Sequence, residues 1–265
     1  MAEMFGLFNY DKEGPGVDKN APRKRGLFHF FDLYLKNFWK LVVNSIVYWL
    51  LTLPLITSGL ASAGMTNITR NMAVDTHSFG VSDFIDTIKK NWKQALPAGI
   101  INVLIFSFLI FDIWFFYVNF QGNYRLVCLA IVATTLIVFL AFRYYFWTIL
   151  ITIKLKLKNV YINAIKMTLL GLKKNIIIFL CMILVYLFLL ILAFAGTPIT
   201  DFVLLLIILF VLPGLRFLII EFNVFDAIKK YMILPYYKEH PDEDIELRRR
   251  LGVLEETKYS EEDLL

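Results

Sequence analysis

The chain holds only two cysteines in 265 residues, Cys128 and Cys181, each alone inside an apolar run. That spacing excludes a disulfide framework and a CxxC redox motif. Its three histidines, His29, His77 and His240, lie in separate segments with no metal-ligand spacing, so no metal site is expected. No P-loop, GxGxxG turn or Ser-His-Asp set is present. No cofactor is implied, and the expectation is a protein that is not an enzyme. Charge is scarce as well, at 18% of residues against about 25% in soluble domains. Residues 1–26 are polar, without the apolar core of a cleavable signal peptide.

Apolar residues are abundant instead: 58% of the chain, with 25 phenylalanines. They gather in four blocks, 95–118, 126–151, 176–195 and 202–222. About 20 helical residues cross a 30 Å hydrocarbon core, so each block is long enough. The fold class expected is all-α, a polytopic transmembrane helix bundle. Residues 1–26 read as a cytoplasmic leader, 27–237 as the transmembrane domain and 238–265 as a charged cytoplasmic tail. That tail carries ten of the 22 acidic residues and five of the 27 basic ones. It is expected to be disordered apart from a short helix around 244–251, and to serve as a docking segment. The rest of the chain is net +10. Because its Lys and Arg flank apolar spans, the bilayer is the expected partner rather than nucleic acid.

Basic and neutral connections alternate along the chain, which places the basic ones in the cytoplasm. The leader up to Lys40 has seven basic residues and belongs on the same side as the C-terminus. Parity then requires residues 41–72 to go out and return as a hairpin, giving six crossings; a single kinked span, giving five, is the competing count. Pro54 stops the first arm, and Thr57 or Ser58 caps the second. Ser58/Ser62 and Gly59/Ala63 are small-residue pairs that let helices approach closely. On this reading Thr57 reaches the outer surface.

One phrase recurs before the spans. Phe31, Lys36, Trp39 and Lys40 are spaced as Phe84, Lys89, Trp92 and Lys93, and a looser copy starts at Thr168. An apolar stripe flanked by lysines, with Trp39 and Trp92 suited to headgroup level, has the form of an interfacial helix. Three such elbows are expected on the inner leaflet.

The stretch LPLITSGLASAGMTNITRNM followed by FGVSDFIDTIKKNWKQAL resembles the YesL-like family of bacterial integral membrane proteins. The motif residues are Leu53, Pro54, Thr57 and Gly59, then Lys89, Lys90, Asn91 and Trp92. Leu60 stands where the family often has Pro. The resemblance spans about residues 25–235. It implies a bacterial plasma-membrane protein, accessory to carbohydrate uptake by an ATP-driven transporter or to sugar sensing. It carries over no catalytic residue.

Intramembrane charges are costly and are therefore site candidates. Asp112 and Arg143 fall on successive spans at depths differing by roughly 16 Å, too far apart to pair. Arg143 and Arg216 share a depth and are expected to face one cytoplasm-side cavity with Glu221 near its rim, suited to an anionic ligand or a lipid phosphate. The opposing possibility is that each arginine snorkels to the headgroups. Pro213, inside LPGLR, breaks the last span, and broken helices line transport sites. A small-solute permease is thus the alternative to the accessory role. Oligomeric state is not legible. As a test of topology, single cysteines replacing Val17 and His77, in a chain freed of Cys128 and Cys181, should react only with reagent on the cytoplasmic face. Labelling of the Val17 position from outside would sink the shared-side assignment.

Overall fold

A computed structural model describes residues 26–76, 78–240, 243, 245–251 and 253. The leader, His77 and most of the tail lie outside the described residues. Eleven α-helices and two short π-turns make up the described chain, and it contains no strand. The chain is an all-α bundle, with four helices long and apolar enough to cross a membrane.

The first elbow is α1 (Leu27–Lys36), which breaks at Asn37 before α2 (Phe38–Thr52). Asn37 turns its amide back onto the Leu33 carbonyl at 3.0 Å instead of continuing the helix. Phe30 and Leu33 face inward while Leu27, Phe28, Phe31 and Leu35 are exposed, the division an interfacial helix requires. Lys36 and Lys40 bind the loop before α4, at Asp75 (3.3 Å) and the Ser78 carbonyl (3.0 Å). Trp39 and Trp92 are both more than half exposed.

The second elbow is not a separate helix. Residues 84–93 run without a break into the span as α4 (Val81–Asn119), 39 residues with Pro97 inside. At 1.5 Å per residue α4 is about 58 Å long, nearly twice a hydrocarbon core. Its basic first third therefore projects beyond the apolar layer. A helix tolerates one proline when neighbouring helices hold it, and α3 packs here.

The hairpin exists but its arms are short. α2 and α3 (Ser58–Ala73) have 15 and 16 residues, about 22–24 Å each. Gly59 lies against Ala95 and Gly99: a Cβ on Gly99 would sit 2.5 Å from the Gly59 Cα. About 30 Å of α4 runs on beyond that crossing, 20 residues at 1.5 Å each. Thr57 thus stops well short of the far end of α4, and the chain has four long apolar helices plus a short hairpin. Both hairpin ends still emerge on one side. Pro54 does end α2, but Thr57 does not cap α3 with its side chain. Its hydroxyl reaches back to the Leu51 carbonyl and clamps the turn.

The chain then runs α5 (Gly122–Thr152), α6 (Leu157–Leu170) and α7 (Leu172–Phe194). The third elbow breaks at Gly171, where the Tyr145 hydroxyl meets the backbone so closely that any Cβ would overlap it. The last long run comprises α8 (Pro198–Leu206), a π-turn Ile207–Val211, α9 (Leu212–Ile228), a π-turn Lys229–Ile233 and α10 (Leu234–Glu239). Both π-turns immediately precede a Leu-Pro pair, at Pro213 and Pro235. Proline lacks the N–H and its ring crowds the carbonyl four residues back; widening the preceding turn relieves both problems. Trp49 on α2 donates its indole N–H to the Ile208 carbonyl inside the first π-turn.

The core sits in the half of the bundle nearer the elbows, where α3 is packed among α2, α4, α5 and α9. The opposite halves of α4, α5 and α7 are largely exposed and apolar, as lipid-facing surface should be. The short helix expected around 244–251 forms as α11 (Ile245–Arg250), and this part of the tail is packed, with Arg248, Leu251 and Val253 buried. Arg248 lies over the Tyr237 ring at 5.3 Å. The apolar Leu247, Leu251 and Val253 join the core, which the net charge of the segment conceals. Gly99→Leu should abolish a monodisperse folded species on fluorescence-detected gel filtration. Gly99→Ala should lower the melting temperature, a loss of about 1–3 kcal/mol from overpacking.

Candidate functional site

Four helices enclose a cavity of about 210 Å³. α3 contributes Thr66; α5 contributes Leu140, Arg143, Tyr144 and Trp147. α7 supplies Phe179, Met182, Ile183 and Tyr186, and α9 supplies Arg216, Phe217, Ile220 and Glu221. Arg143 and Arg216 therefore do share one cavity, and the charge of Arg216 is felt at Arg143. Arg216 follows the π-turn and Pro213, and its register is held by Gly214, whose N–H donates to the Ser45 hydroxyl on α2 at 3.1 Å. The guanidinium lies 5.1 Å over the Phe217 ring. Among the described residues, neither arginine is in an ion pair.

Glu221 is not at a rim. It is 1% exposed, inside the wall, where Thr148 donates to its Oε1 at 2.7 Å. The Thr148 hydroxyl also lies 3.0 Å from the Tyr144 carbonyl, and its single proton serves one acceptor at a time. Arg70 on α3 stands nearby and its charge reaches Glu221. That arginine is fully engaged, with Thr152 (2.8 Å), Asn67 (2.7 Å) and Asn71 (3.0 Å).

Five of the lining residues carry a polar atom that is buried without a hydrogen-bond partner: Thr66 Oγ1, Arg143 Nε, Trp147 Nε1, Arg216 Nε and Glu221 Oε2. Buried polar groups in folded proteins are overwhelmingly paired, because each orphan costs about 1–3 kcal/mol. Five such residues around one space make this cavity the candidate site. Four of the atoms are able to donate and one accepts.

Thr66, Trp147, Tyr186 and Thr148 were not legible in the sequence as site residues. Each is ordinary in its own helix, and only their convergence distinguishes them. Asp112 is half-buried on α4 and does not line the cavity. No group of three or more potential metal ligands occurs among the described residues.

Four long apolar helices, a short hairpin and a charged cavity between the spans define a multi-helix membrane protein. Residues 41–113 match the model of a family described as a protein of unknown function, DUF624, to which YesL-like proteins belong. The match covers most of α2, all of α3 and most of α4, including Pro54, Thr57, Gly59 and Trp92. Of the cavity residues only Thr66 falls within it. No curated protein and no solved structure matches the chain. Thr148→Val should strip Glu221 of its donor and destabilise the folded protein by about 1–3 kcal/mol, read as a lower melting temperature in detergent. Adding Glu221→Leu should recover part of that loss, the coupling expected of partners in one buried contact.

Proposed function

We propose that this chain is a non-enzymatic, multi-pass protein of the bacterial plasma membrane that captures an anionic group in the Arg143–Arg216 cavity. It acts as an accessory or regulatory partner of another membrane complex. The observation that carries this reading is the pair of guanidiniums facing one cavity with unpaired donors beside them. Two like charges in a low-dielectric setting are stable only when an anion or water answers them. Both termini are assigned to the cytoplasm. The basic connections support this, as does a short hairpin that returns to the side it left. The resemblance to YesL-like proteins favours an ATP-driven carbohydrate uptake system, or a sugar-sensing one, as the partner.

A permease with a cytoplasm-facing cavity is favoured by one observation. The π-turn and Pro213 interrupt the run immediately before Arg216, as in broken helices that carry solutes. The accessory reading ranks higher because the far half of the bundle presents apolar side chains at nearly every position of α7 and α8.

Two measurements test the proposal. Millimolar inorganic phosphate should raise the melting temperature of the detergent-purified protein, and Arg216→Gln should abolish the rise; an unchanged rise in that variant would remove the cavity from consideration. Cross-linking in membranes followed by mild-detergent capture should recover a transporter subunit. Recovery of bait alone under several conditions would defeat the accessory role.

A further inference from the structure

The same cavity has features that a simple anion does not answer, and the inference drawn from them rests on the anion-binding reading above. A chloride would satisfy the guanidiniums and the Trp147 N–H, yet leave Glu221 Oε2 without a donor; a phosphate answers it only through a hydroxyl of its own or of its ester. Glu221 calls for a donor. The occupant that satisfies the whole wall therefore carries an anion and, a few ångströms away, a hydroxyl or ammonium group. A volume of about 210 Å³ holds roughly seven waters at ~30 Å³ each, which is room for a small phosphate ester.

The route of entry is also visible. Two residues lining the cavity, Ile183 and Tyr186 on α7, are 59% and 47% exposed. They lie in one of the four helices apolar enough to cross a membrane, so their outer surface meets acyl chains. α5 and α7 both pack on α9; between themselves they make a ring contact, Tyr144 with Phe179 at 5.8 Å. Leu140 on α5 and the exposed Ile183 and Tyr186 on α7 line the same cavity as Arg143 and Arg216. The Tyr186 hydroxyl is engaged with Arg216, so this half-exposed ring joins the outer face of α7 to the guanidinium.

The geometry points to a lipid-borne phosphate ester with a hydroxyl or ammonium donor, of the phosphoglycerol or phosphoethanolamine kind, whose headgroup enters between α5 and α7. Arg143 and Arg216 take the phosphate oxygens in charge-assisted hydrogen bonds, with Trp147 and Thr66 as further donors. Glu221 accepts from the headgroup donor, while Thr148 holds the other carboxylate oxygen. The acyl chains remain outside, along the apolar face of α7. A water-soluble phosphate ester offers the same head chemistry without chains, and the test separates the two sources.

The full chain, delipidated in mild detergent, is titrated with dioctanoyl phosphatidylglycerol, dioctanoyl phosphatidylcholine, glycerol 3-phosphate and inorganic phosphate. Binding is read by native mass spectrometry and tryptophan fluorescence. The phosphatidylglycerol probe should bind one to one. Its affinity should fall at least about tenfold in Arg216→Gln, the loss of a charge-assisted contact, while Arg216→Lys keeps part of it and shows that the fold survives. Ile183→Trp, which adds bulk at the exposed mouth, should weaken that probe at least about tenfold and leave glycerol 3-phosphate unchanged. Phosphatidylcholine, whose ammonium has no N–H, should bind at least about tenfold more weakly; equal binding would overturn the role given to Glu221. Glycerol 3-phosphate binding as tightly as the lipid, or Ile183→Trp without effect, would overturn the lipid source while the anion site stands. Indifference of every probe to Arg143→Gln and Arg216→Gln would overturn the anion site as well.

Discussion

The approach of Gly59 to Gly99 is the contact on which the rest of the bundle depends. Neither residue has room for a methyl group, because each one's Cα would lie within about 2.6 Å of the other's Cβ. In a membrane there is no hydrophobic drive between helices, so close backbone packing has to supply the attraction. α3 meets that need with glycine, alanine, serine and threonine on the faces it turns inward; Ala61, Ser62, Ala63 and Thr66 are all buried. Set against α4 at this depth, α3 also touches α2, α5 and α9. It is the shortest-range packer in the structure and the one around which the long spans are placed.

The cavity is a consequence of that placement. With α3 in the elbow-side centre, α5 and α9 pack on it and α7 packs on α9, and the cavity lies among these four helices. Arg143, Arg216 and Glu221 all face this space. Local devices surround them: a π-turn precedes Pro213 at the start of α9, and Gly214 N–H donates to the Ser45 hydroxyl. Arg70 shows how the same protein treats a charge it does not intend to leave open, surrounding it with three oxygen partners. Arg70 thus has three oxygen partners, whereas Arg143 and Arg216 each keep a buried Nε without one.

Much of the architecture was readable from hydropathy and charge. The four apolar blocks became four long helices, the break at Pro54 ended α2, and the shared depth of Arg143 and Arg216 correctly put both on one cavity. The failures have identifiable causes. The second elbow merged with its span because nothing in residues 84–97 stops a helix except Pro97, and packing against α3 overrides it. The hairpin arms are shorter than the long helices, since parity constrains only the side on which a segment ends and not how deep it travels. Glu221 moved from rim to wall because depth along a helix does not report which way a side chain turns. The tail segment docked despite its charge, since three apolar residues at suitable spacing outweighed it.

By itself the sequence determined which segments are apolar enough to leave water, because transfer into hydrocarbon is a property of each segment's own side chains. It also determined which connections are basic. The tertiary structure alone decided that Thr66, Trp147 and Tyr186 stand around the two arginines, and that Gly59 meets Gly99. Those facts depend on the rotation and crossing of helices far apart in the chain, and no local pattern encodes an angle between two segments.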